Sequence, residues 1–325
     1  MNNTAPPDGA AQTAQWDLFW RSEGPASAQR AIRLPVLEHL WREILADVSL
    51  KDPDGIVLEL AAGAGSVSHH VADQPHLNGQ TLVAFDASIH ALAMTQRGEH
   101  AVAGDLRACP FADQSVNLLT SQFGVEYAGQ ACLADSLDLV APGGYFAFVL
   151  HIENGVIHQE CGRNGDLVRR FMQTPFLRSA EALLGAIFER NEGEIRQATA
   201  AAFRQALSDV EQMLMGAAEG QGKDTLLQVY NAVADMIEAP GAFHPQDLTG
   251  WFASTGSELI GYIERMSQMQ LAALSEKELQ KFISSASAAG FTIVRDGLVM
   301  DRDAFGRSLP VAFHVLGHRA EEAWL

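Results

Sequence analysis

The balance of charge is the first property of this 325-residue chain that limits what it can do. Lys and Arg total 22 against 40 Asp and Glu, a formal net charge of −18 that opposes a phosphate backbone, so we expect no nucleic-acid partner. A hydrophobic content of 47% allows one large core or two smaller ones, and no apolar run is long enough to suggest a membrane partner.

The three cysteines, Cys109, Cys132 and Cys161, are odd in number and widely spaced, which favours neither a disulfide framework nor a zinc site. The first residues contain neither the basic segment nor the apolar stretch of a signal peptide. We therefore expect a cytoplasmic protein. Residues 1–13, rich in Ala, Pro and Asn, are predicted to be a disordered tail.

The predicted elements begin with a helix after Pro35, because apolar residues recur there at helical spacing up to Val48. Short β-rich runs then alternate with helical ones. The five predicted strands of this part are 56–60, 81–86, 100–104, 115–121 and 144–150. Such alternation predicts a parallel sheet with helices on both faces.

The pattern is helical throughout residues 153–274, with turn-forming breaks at 219–222 and 239–245. Ser275 and Glu278 then form a capping box for a further helix, and strands are predicted at 291–299 and 309–318. The sequence thus predicts an α/β fold with a seven-stranded, mostly parallel sheet. Residues 14–152 and 275–325 form this domain with its N-terminal helices, and 153–274 form an all-helical insertion after strand five.

The segment with the clearest chemical character is 56–66, an apolar strand that runs into a turn of small residues and then a helix. Gly63 and Gly65 remove side chains where the backbone turns sharply and a ligand approaches. The helix that follows points its free amide groups at that ligand. The segment is typical of a nucleotide-type pocket.

Four later segments each begin or end a predicted strand. In chain order they are 82–86, Gly104-Asp105, 116–123 and 139–146. Together with the glycine turn, they resemble the class I, Rossmann-like S-adenosylmethionine (SAM)-dependent methyltransferases, most of all those of the small-molecule type. Five ordered matches over about a hundred residues are far more specific than one glycine motif.

The resemblance implies SAM as the cofactor, a small-molecule substrate and direct displacement of the methyl group. Ala61 stands in place of the first of the family's three alternating glycines. Asp86 would accept hydrogen bonds from both ribose hydroxyls, because a carboxylate offers two acceptors to a cis-diol. The implied cofactor-binding residues are Glu59, Ala61, Gly63, Gly65, Asp86, Ala87, Asp105, Leu106 and Gln122.

Two alternatives share these residues. An NAD(P)-dependent oxidoreductase uses a related turn, but it has a third small residue where this chain has Ser68, and it leaves Glu59 unexplained. A SAM-binding protein without catalysis, acting as a regulator, would keep the same fold, since fold does not fix function. A substrate-facing acid or base would separate an enzyme from this second alternative.

Candidates for that acid or base follow strands four and five, where open α/β sheets bind their ligands. His151 has a side chain suited to taking a proton from an acceptor, and Tyr127 is predicted to line the pocket with Glu126. The structural alternatives are that His151 is a hydrogen-bonded strand-end residue and that Glu126 complements a helix dipole.

An aromatic face of Trp16, Phe19 and Trp20 at helical spacing predicts either a lid over the cofactor or ordinary packing. The helical insertion is predicted to cap the substrate side or to form a homodimer interface. No metal is expected, because adjacent His69 and His70 point to different sides of a helix. The looser set His151, Glu153, His158 and Cys161 has the spacing of no standard site.

Overall fold

The computed structural model describes residues 16–21, 34–95, 100–190, 193–303 and 305–321. The predicted tail 1–13 lies outside these ranges. The chain divides into two compact units, one of residues 1–158 and 269–325 and the other of residues 159–268.

The first unit contains a sheet of seven strands in the order β3-β2-β1-β4-β5-β7-β6. The strands are β1 (Ile56–Leu60), β2 (Thr81–Asp86), β3 (His100–Ala103), β4 (Val116–Gln122), β5 (Val140–Leu150), β6 (Phe291–Arg302) and β7 (Ser308–Arg319). Strands β1 to β5 pair in parallel, whereas β7 is antiparallel to both β5 and β6. The predicted seven-stranded, mostly parallel sheet is confirmed.

Two apolar cores lie against this sheet, because successive side chains of a strand point to opposite faces. One contains Leu58, Phe146 and Phe148, and the other contains Val57, Ala147 and Val149. The helices of the first unit up to β5 are α1 (residues 16–21), α2 (Pro35–Ala46), α3 (Ser68–Ala72), α4 (Ile89–Leu92) and α5 (Gln130–Asp135). The carboxyl ends of the parallel strands share one edge, which brings the glycine turn, Asp86 and His151 to the same side of the sheet.

Strand β5 begins four residues earlier than predicted. Val140 pairs with Val116, but the next pair is Leu118 with Tyr145, so residues 141–144 form a bulge. Gly143 has φ 76° in this bulge, a left-handed conformation that favours glycine. The Pro-Gly-Gly segment therefore bends the strand instead of preceding it.

Between β5 and β6 the described residues form helices, apart from the isolated bridge pair Ile152 and Leu274. These helices are α6 (Val156–Gln173), α7 (Phe176–Phe188), α8 (Glu194–Gly216), α9 (Gln221–Glu238), α10 (Pro245–Ala272) and α11 (Glu276–Ala288). Helix α11 starts with the predicted capping box of Ser275 and Glu278. None of the helices that the structure describes is long and apolar enough to cross a membrane.

Candidate functional site

The glycine turn after β1 places three alternate residues in the left-handed region of backbone space. Ala61 has φ 48°, Gly63 has φ 55° and Gly65 has φ 79°. Glycine adopts this region freely, whereas an alanine there is strained by its Cβ. The backbone thus explains why the family that this chain resembles keeps glycine at all three positions.

The methyl group of Ala61 is accommodated by a second glycine. A Cβ added to Gly124, which follows β4, would lie 2.5 Å from the Cβ of Ala61 and 3.0 Å from its carbonyl oxygen. Contacts this short are not tolerated in packed protein, so the bare backbone at Gly124 makes room for the extra methyl at Ala61.

Glu59 holds the turn from within the protein. Its side chain is buried, and its carboxylate accepts hydrogen bonds from Val67 N (2.8 Å), Ser68 N (2.8 Å), Ser68 Oγ (2.6 Å) and Ser66 Oγ (3.3 Å). Burial raises the pKa of Glu59 to about 7, although these hydrogen bonds act to lower it. The observed partners of Glu59 are therefore Ser68, the first residue of α3, and the two residues before it. A direct contact with the cofactor stays a prediction.

Asp86, at the end of β2, joins two backbone segments. Its Oδ2 accepts a hydrogen bond from Gly63 N at 2.8 Å, and its Oδ1 accepts one from Ser88 N at 2.8 Å. Burial raises the pKa of this carboxyl, and the neighbouring negative charge of Asp17 adds to the effect. The carboxylate is thereby fixed at the mouth of the glycine turn.

Helix α1 packs onto this arrangement. The ring of Trp20 is buried and would lie 2.8 Å from a Cβ added to Gly63, and the ring of Trp16 meets Tyr127 edge-on with centroids 5.5 Å apart. Asp17 accepts a hydrogen bond from Ser88 Oγ at 2.7 Å and lies 2.9 Å from His90 Nδ1. Polar contacts thus join α1 to the segment after Asp86.

The other residues implied in cofactor binding have identified surroundings. Asp105 accepts hydrogen bonds from Arg107 N and Nε, both at 2.9 Å, and Leu106 packs against an apolar core. The buried side chain of Gln122 accepts a hydrogen bond from Trp41 Nε1 at 2.6 Å. Ala87 is exposed next to Asp86. Ala87 therefore lies at the mouth of the glycine turn with Asp86, its neighbour in the chain. Asp105 and Gln122 have hydrogen-bond partners within the protein.

His151 and Glu126 form a buried pair at the ends of β5 and β4. Glu126 Oε1 lies 2.8 Å from His151 Nδ1 and accepts a hydrogen bond from His151 N at 3.0 Å, and the two side chains are 3% and 0% exposed. The second oxygen, Oε2, is buried and has no hydrogen-bond partner among the residues that the structure describes. The ring of Phe123 lies 4.3 Å from that of His151, and Tyr127 meets it edge-on at 5.8 Å. A carboxylate on Nδ1 fixes the tautomer of a histidine.

Sequence reasoning missed three parts of this site. The contacts of Asp17 with His90 span 73 residues, and no local pattern signals them. Ser88 caps α4 by accepting a hydrogen bond from Ala91 N, a Ser-before-helix signal that the sequence does contain. The pairing of Glu126 with His151 follows from adjacent parallel strands. Among the described residues, no group of three or more His, Cys, Asp or Glu is arranged to hold a metal.

Comparison with known proteins agrees with this geometry. Residues 58–148 match the family described as methyltransferase domain. The demethylmenaquinone methyltransferase of Renibacterium salmoninarum is 35% identical over 109 residues, or 32% of this chain and 44% of that protein. The protein of the same name from Beutenbergia cavernae is 34% identical over 113 residues, or 33% and 45%. The chain thus spans less than half of the length of these relatives.

A solved structure of a SAM-dependent methyltransferase from Aquifex aeolicus aligns with 91% of this chain and 99% of its own, at 11% identity and a TM-score of 0.41. The family match coincides with β1 to β5 and the glycine turn, and SAM is the cofactor that such a domain implies. Residues 58–148 of this chain therefore form a methyltransferase domain.

Proposed function

We propose that the protein is a SAM-dependent methyltransferase that transfers a methyl group to a small-molecule acceptor. The observation that carries the proposal is the position of Asp86, whose two oxygens are fixed to the amides of Gly63 and Ser88 at the mouth of the glycine turn. A carboxylate held in this way is preorganised for the two hydroxyls of a ribose. The match of residues 58–148 to a methyltransferase domain supports the same reading.

The residues around the turn fit SAM. Gly65 is proposed to present bare backbone to the ligand, and a carboxylate such as that of Asp86 has lone pairs beyond those that accept from Gly63 N and Ser88 N. Glu59 is a positioning residue here, because its carboxylate orders the start of α3. When bound, SAM supplies an activated methyl group that passes to the acceptor in one displacement.

The pair of Glu126 and His151 is the proposed acid–base element. Glu126 accepts the hydrogen bond from Nδ1 and leaves Nε2 as the basic nitrogen for a proton from the acceptor. The buried carboxylate also stabilises the positive charge that His151 gains on taking the proton. Tyr127 and Phe123 border the His151 ring and orient it.

Helix α1 is proposed as a lid. Trp20 covers Gly63, and Trp16 reaches Tyr127, so the helix spans from the glycine turn to the residues beside His151. A closed lid excludes water from the methyl transfer, which needs positioning more than it needs added chemistry. The contacts of Asp17 with Ser88 and His90 favour the closed position.

The two curated relatives are named for demethylmenaquinone, so this compound is the first acceptor to assay. A histidine base favours an acceptor whose proton is acidic, such as a phenolic hydroxyl, because proton transfer is most effective between groups of similar pKa.

Calorimetric titration with SAM and with NADH tests the cofactor, since tight NADH binding without a response to SAM would overturn the proposal. Methyl transfer to demethylmenaquinone and to a set of phenols then tests catalysis. His151→Gln should abolish transfer while SAM still binds. SAM binding with no transfer to any acceptor would instead favour the regulatory alternative.

A further inference from the structure

Strand β6 is an edge strand of the seven-stranded sheet. It is the last strand in the sheet order, it is 12 residues long, and among the described residues it pairs with β7 alone. The outer backbone groups of such a strand are a template for pairing with another chain. On this strand Leu298 is 54% exposed and Met300 is 41% exposed within the described part of the chain, which is unusual for large apolar side chains on an edge strand.

Four exposed side chains in the second half of β6 form one row. Alternate residues of a strand share a face, and Asp296, Leu298, Met300 and Arg302 are all exposed, whereas Val299 between them is buried. On β7, Phe313 lies beside Leu298 and Ala312 beside Val299, and one extra β7 residue, Val311, precedes the pair of Pro310 with Met300, so the irregularity is on β7 and β6 runs unbroken from 296 to 302. The row therefore reads acidic, apolar, apolar, basic along the strand.

The same row of a second strand, running in the opposite direction, is complementary to this row in charge and in apolar character. We propose that β6 pairs antiparallel with β6 of a second copy of this chain around a two-fold axis at Val299. Asp296 then lies opposite Arg302 of the other copy, Leu298 lies opposite Met300, and each pair occurs twice because of the symmetry. Opposite charges and apolar side chains in directly facing positions stabilise antiparallel pairs.

Neighbouring registers lose this complementarity. A shift of two residues toward the start of β6 puts Asp296 opposite Met300 of the other copy, and a shift toward its end puts Leu298 opposite Arg302. Terminal charges on an edge strand disfavour pairing with unrelated apolar edges. The sequence of β6 therefore selects one partner, its own copy, and one register. The sheet would run continuously through both copies.

The charge pattern permits a test by reversal and rescue. Asp296→Arg alone places an arginine opposite Arg302 of the other copy at both ends of the paired strands. Arg302→Asp alone places an aspartate opposite Asp296 of the other copy at both ends. The double variant restores both opposite-charge pairs with their signs exchanged. Asp301→Arg is the matched control, because Asp301 lies on the other face and opposite Gly297 of the second copy.

Sedimentation velocity of the full chain over a wide concentration range measures the dimer. The wild type should reach twice its monomer mass of 35.1 kDa. Each single reversal should raise the Kd of the dimer by at least about tenfold, the double variant should restore the wild-type Kd, and Asp301→Arg should leave it unchanged. The proposal is overturned if the wild-type chain stays monomeric at every concentration. It is also overturned if both single reversals leave the Kd of the dimer unchanged. Circular dichroism checks that each variant folds.

Hydrogen exchange of the wild-type protein gives a second, mutation-free measurement. The amides of residues 296–302 should become more protected as the concentration rises, because outward N–H groups gain partners in the dimer. Exchange in β6 that does not depend on concentration would contradict the proposal even if a dimer forms through another surface.

Discussion

Asp86→Asn tests the centre of the proposed cofactor site with little change in shape. The carboxylate holds Gly63 N and Ser88 N at 2.8 Å each and is proposed to accept both ribose hydroxyls of SAM. In Asn, one oxygen is replaced by an NH₂ group, so one backbone amide and one hydroxyl lose their acceptor. A hydrogen bond to a charged group contributes about 1.5–3 kcal/mol, so the Kd for SAM should rise by about 10- to 150-fold.

Calorimetry with SAM measures this change, and Asp113→Asn serves as control because Asp113 is an exposed acid outside the site. A 2′,3′-dideoxy analogue of S-adenosylhomocysteine separates the two roles of Asp86. The variant and the wild type should bind this analogue with nearly equal Kd, since the hydroxyls are absent. An equal loss for both ligands would mean that Asp86 only holds the turn, and an unchanged Kd for SAM in a folded variant would refute the assignment.

Three further predictions concern the same region. Burial raises the pKa of Glu59 from 4.5 to about 7, so its contribution to stability is fully present below the lower value and is lost as pH rises through the higher one. Glu59→Gln should therefore remove up to about 3 kcal/mol of the pH dependence of the unfolding free energy, measured with urea between about pH 5 and 8. The same pH dependence in the variant and the wild type would contradict this. Gly124→Ala should destabilise the fold by more than about 2 kcal/mol, and Ala61→Gly should recover part of that loss in a double-mutant cycle, whereas additive effects would argue against the contact. Trp20→Ala should raise the dissociation rate of SAM several-fold in stopped-flow fluorescence because it uncovers Gly63, and an unaltered rate would argue against a lid.

The strands and the glycine turn were predictable because their signals are local. The apolar runs of β1, β2 and β4 and the small residues after Leu60 each lie within a few positions of one another. The effect of Ala61 was not predictable, since the residue that accommodates its methyl, Gly124, belongs to another strand end.

Helix α6 illustrates the same limit in the second unit. It contains Gly162 and Gly165, which lower helix propensity and obscure the pattern. A Cβ added to Gly165 would lie 3.1 Å from Met266 Cβ, so the glycine permits a close approach of α10. The glycine at position 165 is explained by a tertiary contact between segments about a hundred residues apart, and a single sequence does not reveal such a contact. The pairing of Asp17 with His90 is hidden for the same reason.

The backbone pair of Ile152 and Leu274 has a consequence for the evolution of this chain. Leu274 N donates to His151 O at 2.9 Å, and Glu153 N donates to Leu274 O at 3.0 Å, so the chain leaves and re-enters the α/β unit at a single point. A segment anchored in this way can lengthen, shorten or be exchanged at little cost in loop entropy, which grows only with the logarithm of its length. The stretch 159–268 is thus a replaceable module, whose length and sequence can change while the sheet and the glycine turn stay unchanged.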